Sequence, residues 1–254
     1  SSSTKTTIAS GLTAPTSGFL AGAIAVDPTG IPYVVYSKYS GANSDDILYI
    51  VRCGNAACSS GNSSPVAIHS TNTKGYQDIA IGSDGLPVIS WGYASINVTK
   101  CGNTACNSGN TTTSSVVTGL DHAIKLNSSG LPFISAYNHI TGDLAVVSCG
   151  TATCASGNTT TTIDNSAAII GQYNSVAIPS DGKPVVSYYD ASNANLRVAK
   201  CSNATCTSAT KTTLDSTGTV GQYTSIVVGT SGQPIISYYD GTNGDLKVYQ
   251  CSNS

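Results

Sequence analysis

Two stretches of this chain carry the same chemically useful side chains in the same order. Gly171 to Asp190 reads GQYNSVAIPSDGKPVVSYYD, and Gly221 to Asp240 reads GQYTSIVVGTSGQPIISYYD. Each supplies an amide, a tyrosine and, seventeen and eighteen residues from the amide, a tyrosine and an aspartate: Gln172, Tyr173, Tyr189 and Asp190, then Gln222, Tyr223, Tyr239 and Asp240. Trp91 ends the equivalent run upstream. Flat aromatic faces beside carboxylates and amides suit sugars, because the apolar ring face stacks and the hydroxyls take the polar groups. These nine residues are the expected ligand-binding set. The competing expectation is that the tyrosines pack between sheets with only the hydroxyl in water.

Of nine cysteines, eight form four C-x4-C pairs: Cys53 with Cys58, Cys101 with Cys106, Cys149 with Cys154, and Cys201 with Cys206. Zinc needs four ligands at one point, and these pairs lie one repeat apart. They read as local disulfides and an oxidising compartment. So short a loop contributes only about 2 kcal/mol in the chain-entropy model. Cys251 stands at the head of a fifth turn without a partner and is expected to be unpaired or bonded to something external.

Hydrolysis of a glycosidic bond needs two carboxylates. All 13 acidic residues are Asp and none is Glu. Only Asp78 falls in the body of a first strand, and His69, His122 and His139 have no recognisable nucleophile beside them. No catalytic residue is expected, and neither a metal nor a cofactor is implied. The loops Asp190 to Asn195 and Asp240 to Asp245 have the spaced oxygens of a calcium loop but lack its closing acidic residue, and both are good hairpin turns. Asn62, Asn97, Asn110, Asn127, Asn158 and Asn203 stand in N-x-Ser/Thr sequons; the plain alternative is that Gly-Asn forms the turn and Thr starts a strand.

Composition narrows the class. Of 254 residues, 40% are apolar and 9% charged, with a net charge of −2. This weak charge argues against nucleic acid and against an anionic membrane surface. No apolar run reaches the roughly 20 residues of a membrane helix. Abundant Gly, Ser, Thr and Asn between Val-, Ile- and Tyr-rich runs predict strands and turns.

The elements follow from the repeat. The leading cysteines at 53, 101, 149, 201 and 251 are spaced by 48, 48, 52 and 50 residues. With β-type content, a period near 50 points to propeller blades. Each unit predicts a small apolar first strand, a turn ending in Gly30, Gly85, Gly130, Gly182 or Gly232, and a second strand opening at Pro32, Pro87, Pro132, Pro184 or Pro234. A third strand, the stapled turn and a Thr-rich fourth strand complete it. Thr4 to Thr7 repeats Thr210 to Thr213, so the N-terminal segment is expected to supply the last blade's fourth strand. The predicted fold is all-β: a five-bladed β-propeller of four-stranded antiparallel blades. Its ring is closed by the N-terminal strand. It forms a single domain over residues 1–254, with blade five split between residues 1–10 and about 221–254.

The chain resembles repeat-built β-propellers of secreted and surface microbial proteins. The turn SDGLPVIS is similar to an Asp-box turn, without its spaced Gly and following Trp. The blade count resembles the tachylectin-type lectins and the five-bladed glycosidases. The resemblance covers architecture; the Tyr-, Asp- and Gln-rich loops of one face add the leading expectation of a lectin-like, carbohydrate-binding propeller, secreted or at the cell surface, with an extracellular glycan or surface polymer as partner and no enzymatic activity. The alternative is a structural surface or filament subunit capable of self-assembly, and the third reading a glycoside-active enzyme.

Overall fold

A computed structural model describes residues 5–10, 22–39, 46–69 and 75–251, with the side chains of Tyr39 and Asp46 left aside. These residues contain strands and turns and no helix. They gather into two compact units, Ser1–Tyr93 with Asn97–Ser114, and Ala94–Ile96 with Ser115–Ser254.

The first unit holds blade one, in which β1 (Gly22–Val26), β2 (Pro32–Tyr39), β3 (Asp46–Arg52) and β4 (Val66–His69) pair antiparallel in chain order. It also holds β5 (Tyr76–Ile81), β6 (Pro87–Gly92), most of β7 (Ala94–Lys100) and the start of β8 (Thr111–Leu126). Its core is Tyr33, Val35, Leu48, Ile50, Ile79, Ile89 and Trp91, packed on the Cys101–Cys106 bridge.

The second unit continues β8, so one 16-residue strand serves as the fourth strand of one repeat and the first of the next. Then come β9 (Pro132–Asn138), β10 (Asp143–Ser148) and β11 (Thr159–Asp164); a four-stranded sheet of β12 (Ile170–Ala177), β13 (Val185–Asp190), β14 (Asn195–Cys201) and β15 (Ala209–Asp215); and a three-stranded sheet of β16 (Val220–Val228), β17 (Pro234–Asp240) and β18 (Asp245–Gln250). Every residue of β13 is buried, as expected for a strand with sheets against both faces. Its Val186 and Tyr188 join Phe133, Leu144, Val146, Ile170 and Val176 in one core. Burying each such side chain is worth about 1.5–3 kcal/mol. Residues 1–4, which begin the expected closing strand, lie outside the described residues, and 5–10 carry no strand.

The repeat is fixed by backbone bonds at one end of each blade. The N–H of each leading cysteine donates to the carbonyl of the strand-two proline: Cys53 to Pro32, Cys101 to Pro87, Cys149 to Pro132 and Cys201 to Pro184 at 2.9 Å, and Cys251 to Pro234 at 3.0 Å. All four expected disulfides are present, each with Cα atoms 4.8 Å apart.

At the other end of the second unit the first strands bulge. Pairing of β12 with β13 jumps from Gln172 opposite Tyr189 to Ser175 opposite Ser187, and β16 with β17 from Gln222 opposite Tyr239 to Ser225 opposite Ser237. Just before each bulge stands a glycine on which a side chain would collide with the preceding blade: a Cβ on Gly171 would sit 2.8 Å from Leu144 Cβ, and one on Gly221 2.9 Å from Leu196 Cβ. Both glycines have positive φ, 107° and 102°, which a side chain would strain further.

Candidate functional site

The bulges place Tyr173 and Tyr223 in the left-handed region, with φ 52° and 54°. A bulky residue there is a genuine outlier, costing roughly 1–2 kcal/mol. The bulge turns each ring out of the sheet, and the rings form a row. Tyr189 lies 6.1 Å from Tyr173, Tyr173 4.4 Å from Tyr223, and Tyr223 6.4 Å from Tyr239, centroid to centroid. Exposure peaks within the row: Tyr189 at one end is 6% exposed, Tyr223 65%, and Tyr239 at the other end 37%.

The glutamines reach the hydroxyls of strand-two tyrosines and partly offset the rise that burial causes there. Gln222 hydrogen-bonds the Tyr189 hydroxyl, and Gln172 does the same for Tyr137 one repeat earlier. Burial pushes the Tyr173 hydroxyl up to about 12, helped by its bond to the Tyr223 hydroxyl and by nearby Asp121. The Tyr173 hydroxyl therefore stays protonated at neutral pH and is available as a donor.

Blade three changes the chemistry of the slot. Asp121 occupies the position that Tyr173 and Tyr223 hold later, again at a bulge and with φ 33°. Its carboxylate accepts the Tyr173 N–H at 3.2 Å. Asp121 and Asp143, the first residue of β10, together raise the Tyr137 hydroxyl, whose shift comes chiefly from burial. The aromatic row thus meets one partly exposed carboxylate, Asp121 at Tyr173, and a second, Asp143, shares the surroundings of Tyr137 with it. Neither belongs to the expected set, although Asp121 is in register with Tyr173.

Of the expected set, Gln172, Tyr173, Tyr189, Gln222, Tyr223 and Tyr239 come together here. Asp190 and Asp240 are corrections. Asp190 is 2% exposed and Asp240 0%, and both close their own loops, accepting from the N–H and side-chain amide of Asn193 and Asn243. Each also faces a cation of the third strand. Arg197 lies 3.0 Å from Asp164 and 3.7 Å from Asp190; Lys247 lies 2.7 Å from Asp240 and 3.7 Å from Asp215. Tyr188 and Tyr238 donate to Asp164 and Asp215 at 2.6 and 2.9 Å. Turn closure and charge pairing consume these aspartates. Trp91 is the third correction. It follows Ser90, the register counterpart of Ser187, and so matches core-facing Tyr188; a one-residue slip reverses a strand's faces. In the first unit it is 5% exposed, stacks on His69 at 4.4 Å and donates its indole N–H to Thr99 Oγ1 at 2.9 Å.

No family model matches the sequence, and no curated protein does. Solved structures match over almost the whole chain. The α-L-arabinanase of Penicillium chrysogenum complexed with arabinobiose aligns over 90% and more of this chain (91%) and 77% of its own, at 12% identity and a TM-score of 0.58. The α-L-arabinofuranosidase of Lactobacillus brevis aligns over 90% and 89%, at 10% identity and 0.54. A protein of unknown function from Dyadobacter fermentans aligns over 90% and 77%, at 9% identity and 0.62. The fold is a five-bladed β-propeller. These neighbours overturn the reading of a non-enzymatic lectin-like propeller or inert structural subunit, because the solved structures that share the fold include glycoside hydrolases. The missing glutamates had argued against an enzyme, but the two-carboxylate reaction accepts aspartate in either role.

Proposed function

We propose that this chain is a glycoside-active enzyme of an oxidising, extracellular compartment, acting on a carbohydrate polymer along the tyrosine row. The observation that carries the reading is the row itself, which runs from Tyr239 through Tyr223 and Tyr173 and ends at Asp121. Two strained tyrosines in successive repeats support it, because backbone strain persists where the surroundings enforce it and clusters at functional sites. The four disulfides support the compartment.

In this reading Tyr173, Tyr223 and Tyr239 stack successive sugar rings and Gln172 and Gln222 hold the platform. Asp121 and Asp143 are the two carboxylates. One protonates the leaving glycosidic oxygen; the other attacks the anomeric carbon or activates a water to do so. Asp121, oriented by the Tyr173 N–H, suits the second task, which depends on direction. The structural likeness to an arabinanase and an arabinofuranosidase makes arabinan the first substrate to offer. Release of reducing ends from arabinan, galactan and other neutral polysaccharides tests the reading. Activity lost in Asp121→Asn and Asp143→Asn, with KM raised in Tyr223→Ala, is the expected pattern. A folded wild-type chain that cleaves none of them ends the proposal.

A further inference from the structure

The six sequons are not equivalent once the side-chain amides are placed. Transfer of a glycan to asparagine needs Nδ2 free to attack the donor. Asn62, Asn110 and Asn158 have theirs committed. Each donates Nδ2 to the carbonyl of the second cysteine of its own staple, Cys58, Cys106 or Cys154, at 2.7–2.9 Å. Each also accepts, through Oδ1, the N–H of Gly54, Gly102 or Gly150 at 3.0–3.2 Å. These asparagines are cross-members of the stapled turn. Asn97 donates to the Trp91 carbonyl at 3.4 Å and is half-buried. Asn203 donates to the Thr207 hydroxyl at 2.7 Å on the surface.

Asn127 differs. It opens the turn between β8 and β9, and its Oδ1 accepts two backbone N–H groups, Ser129 at 2.9 Å and Leu131 at 3.0 Å. Those bonds hold the side chain by its oxygen alone. Among the described residues its Nδ2 has no hydrogen-bond partner. The turn needs only the oxygen: in blade one Asp27 accepts Thr29 and Ile31 N–H in the same way. An amide at position 127 therefore adds an Nδ2 that the turn does not use, within Asn127-Ser128-Ser129.

We propose that Asn127 is an N-glycan attachment site of the folded chain. The Asn127 Nδ2 bonds to the anomeric carbon of a lipid-diphosphate-linked oligosaccharide. The bond from that carbon to phosphate oxygen breaks, the lipid diphosphate leaves, and one Nδ2 proton is lost. The acceptor stands at the Leu126 end of the β8–β9 hairpin, whereas Asp121 stands towards its other end, beside Tyr173 of the row. A glycan at Asn127 projects away from the proposed substrate platform.

The test uses the purified, disulfide-intact chain with a single-subunit oligosaccharyltransferase and lipid-diphosphate-linked oligosaccharide, read by peptide mass mapping. Glycan mass is expected on the Asn127 peptide, less on that of Asn203, and none on those of Asn62, Asn110 and Asn158. Ser129→Ala, which destroys the sequon and keeps both backbone bonds, and Asn127→Asp, which keeps the turn as in blade one, should each abolish the Asn127 signal without lowering the melting temperature. A reduced, unfolded chain run in parallel completes the design. Modification of Asn127 only when unfolded shows that the fold hides it and overturns the proposal, as does no modification in either state. Equal modification of the stapled-turn asparagines in the folded chain overturns the amide-availability argument.

Discussion

Tyr173 and Tyr223 occupy the same slot in consecutive repeats, share a left-handed backbone and bring their rings to 4.4 Å. Two copies of one strained geometry in contact imply that the ring is what the strain secures. Tyr223→Gly and Tyr223→Ala both delete that ring, but only alanine must keep a Cβ in the left-handed region. The glycine variant should be the more stable by about 1 kcal/mol in urea denaturation. Alanine equal to or better than glycine would show that the bulge is unstrained.

Arg197 and Lys247 make the same bridge in different settings. Arg197 faces carboxylates that are 0% and 2% exposed and is itself 15% exposed; Lys247 is 34% exposed. Removing one partner of a buried pair leaves uncompensated charge. Arg197→Met should therefore cost about 3 kcal/mol, and Lys247→Met clearly less. Thermal melts of the two variants give the comparison, and an equal loss would contradict it.

Acid should unfold the chain through these same groups. Burial pushes the Asp164 carboxyl up, but bonds from Tyr188 and Ser166 and the charge of Arg197 outweigh it and hold the group below the usual range. Lys247 and Asn243 hold Asp240 well below it. A carboxyl lowered in the folded state stabilises above its unfolded value, about pH 4, and that stability is lost as pH falls through the folded value. Urea midpoints should be flat from pH 7 to about 5 and fall below about pH 4, with a shallower fall in Asp164→Asn. A midpoint that does not move down to pH 3 would contradict the shifts.

Trp91 is the only tryptophan, so its emission reports one site. Its burial and indole bond predict blue-shifted emission, poor quenching by iodide and no response to added oligosaccharide. Thr99→Val should leave the indole N–H unsatisfied and destabilise by about 1–3 kcal/mol. Strong quenching in the folded chain would return Trp91 to the surface.

Cys251 occupies the register of a half-cystine, with its N–H on Pro234, and is free among the described residues. Burial pushes its thiol above the ordinary value, which lowers the reactive thiolate fraction. In the folded chain it should react with a disulfide reagent at pH 8 far more slowly than in the denatured chain, which should titrate as one thiol or carry one adduct. Equal rates in both states would mean an open thiol.

Legibility in the sequence followed the range of the interaction. Turns sealed by Gly130 or Pro132, and the pairing of Cys149 with Cys154, depend on residues a few positions apart, so the repeat displays them directly. Tyr173 and Tyr223 were legible because two copies agree. Asp190 and Asp240 misled because their partners, Arg197 and Lys247, reach them across a hairpin; the shared spacing of seven residues was visible but looked like strand chemistry. Trp91 was placed one residue out of register, which in a strand means the opposite face. Asp121 is absent from the expected set because nothing local reveals that its carboxylate meets the Tyr173 N–H.

The bulged slot at 121, 173 and 223 also determines how such a surface evolves. Because each rung comes with its own Gly, Gln and bulge inside one repeat, copying a repeat lengthens the ladder by one rung, and a single codon change in the slot ends it with a charge. The footprint on a bound polymer would then grow or shrink in whole-blade increments, leaving the sealed turns at the far end of the strands untouched.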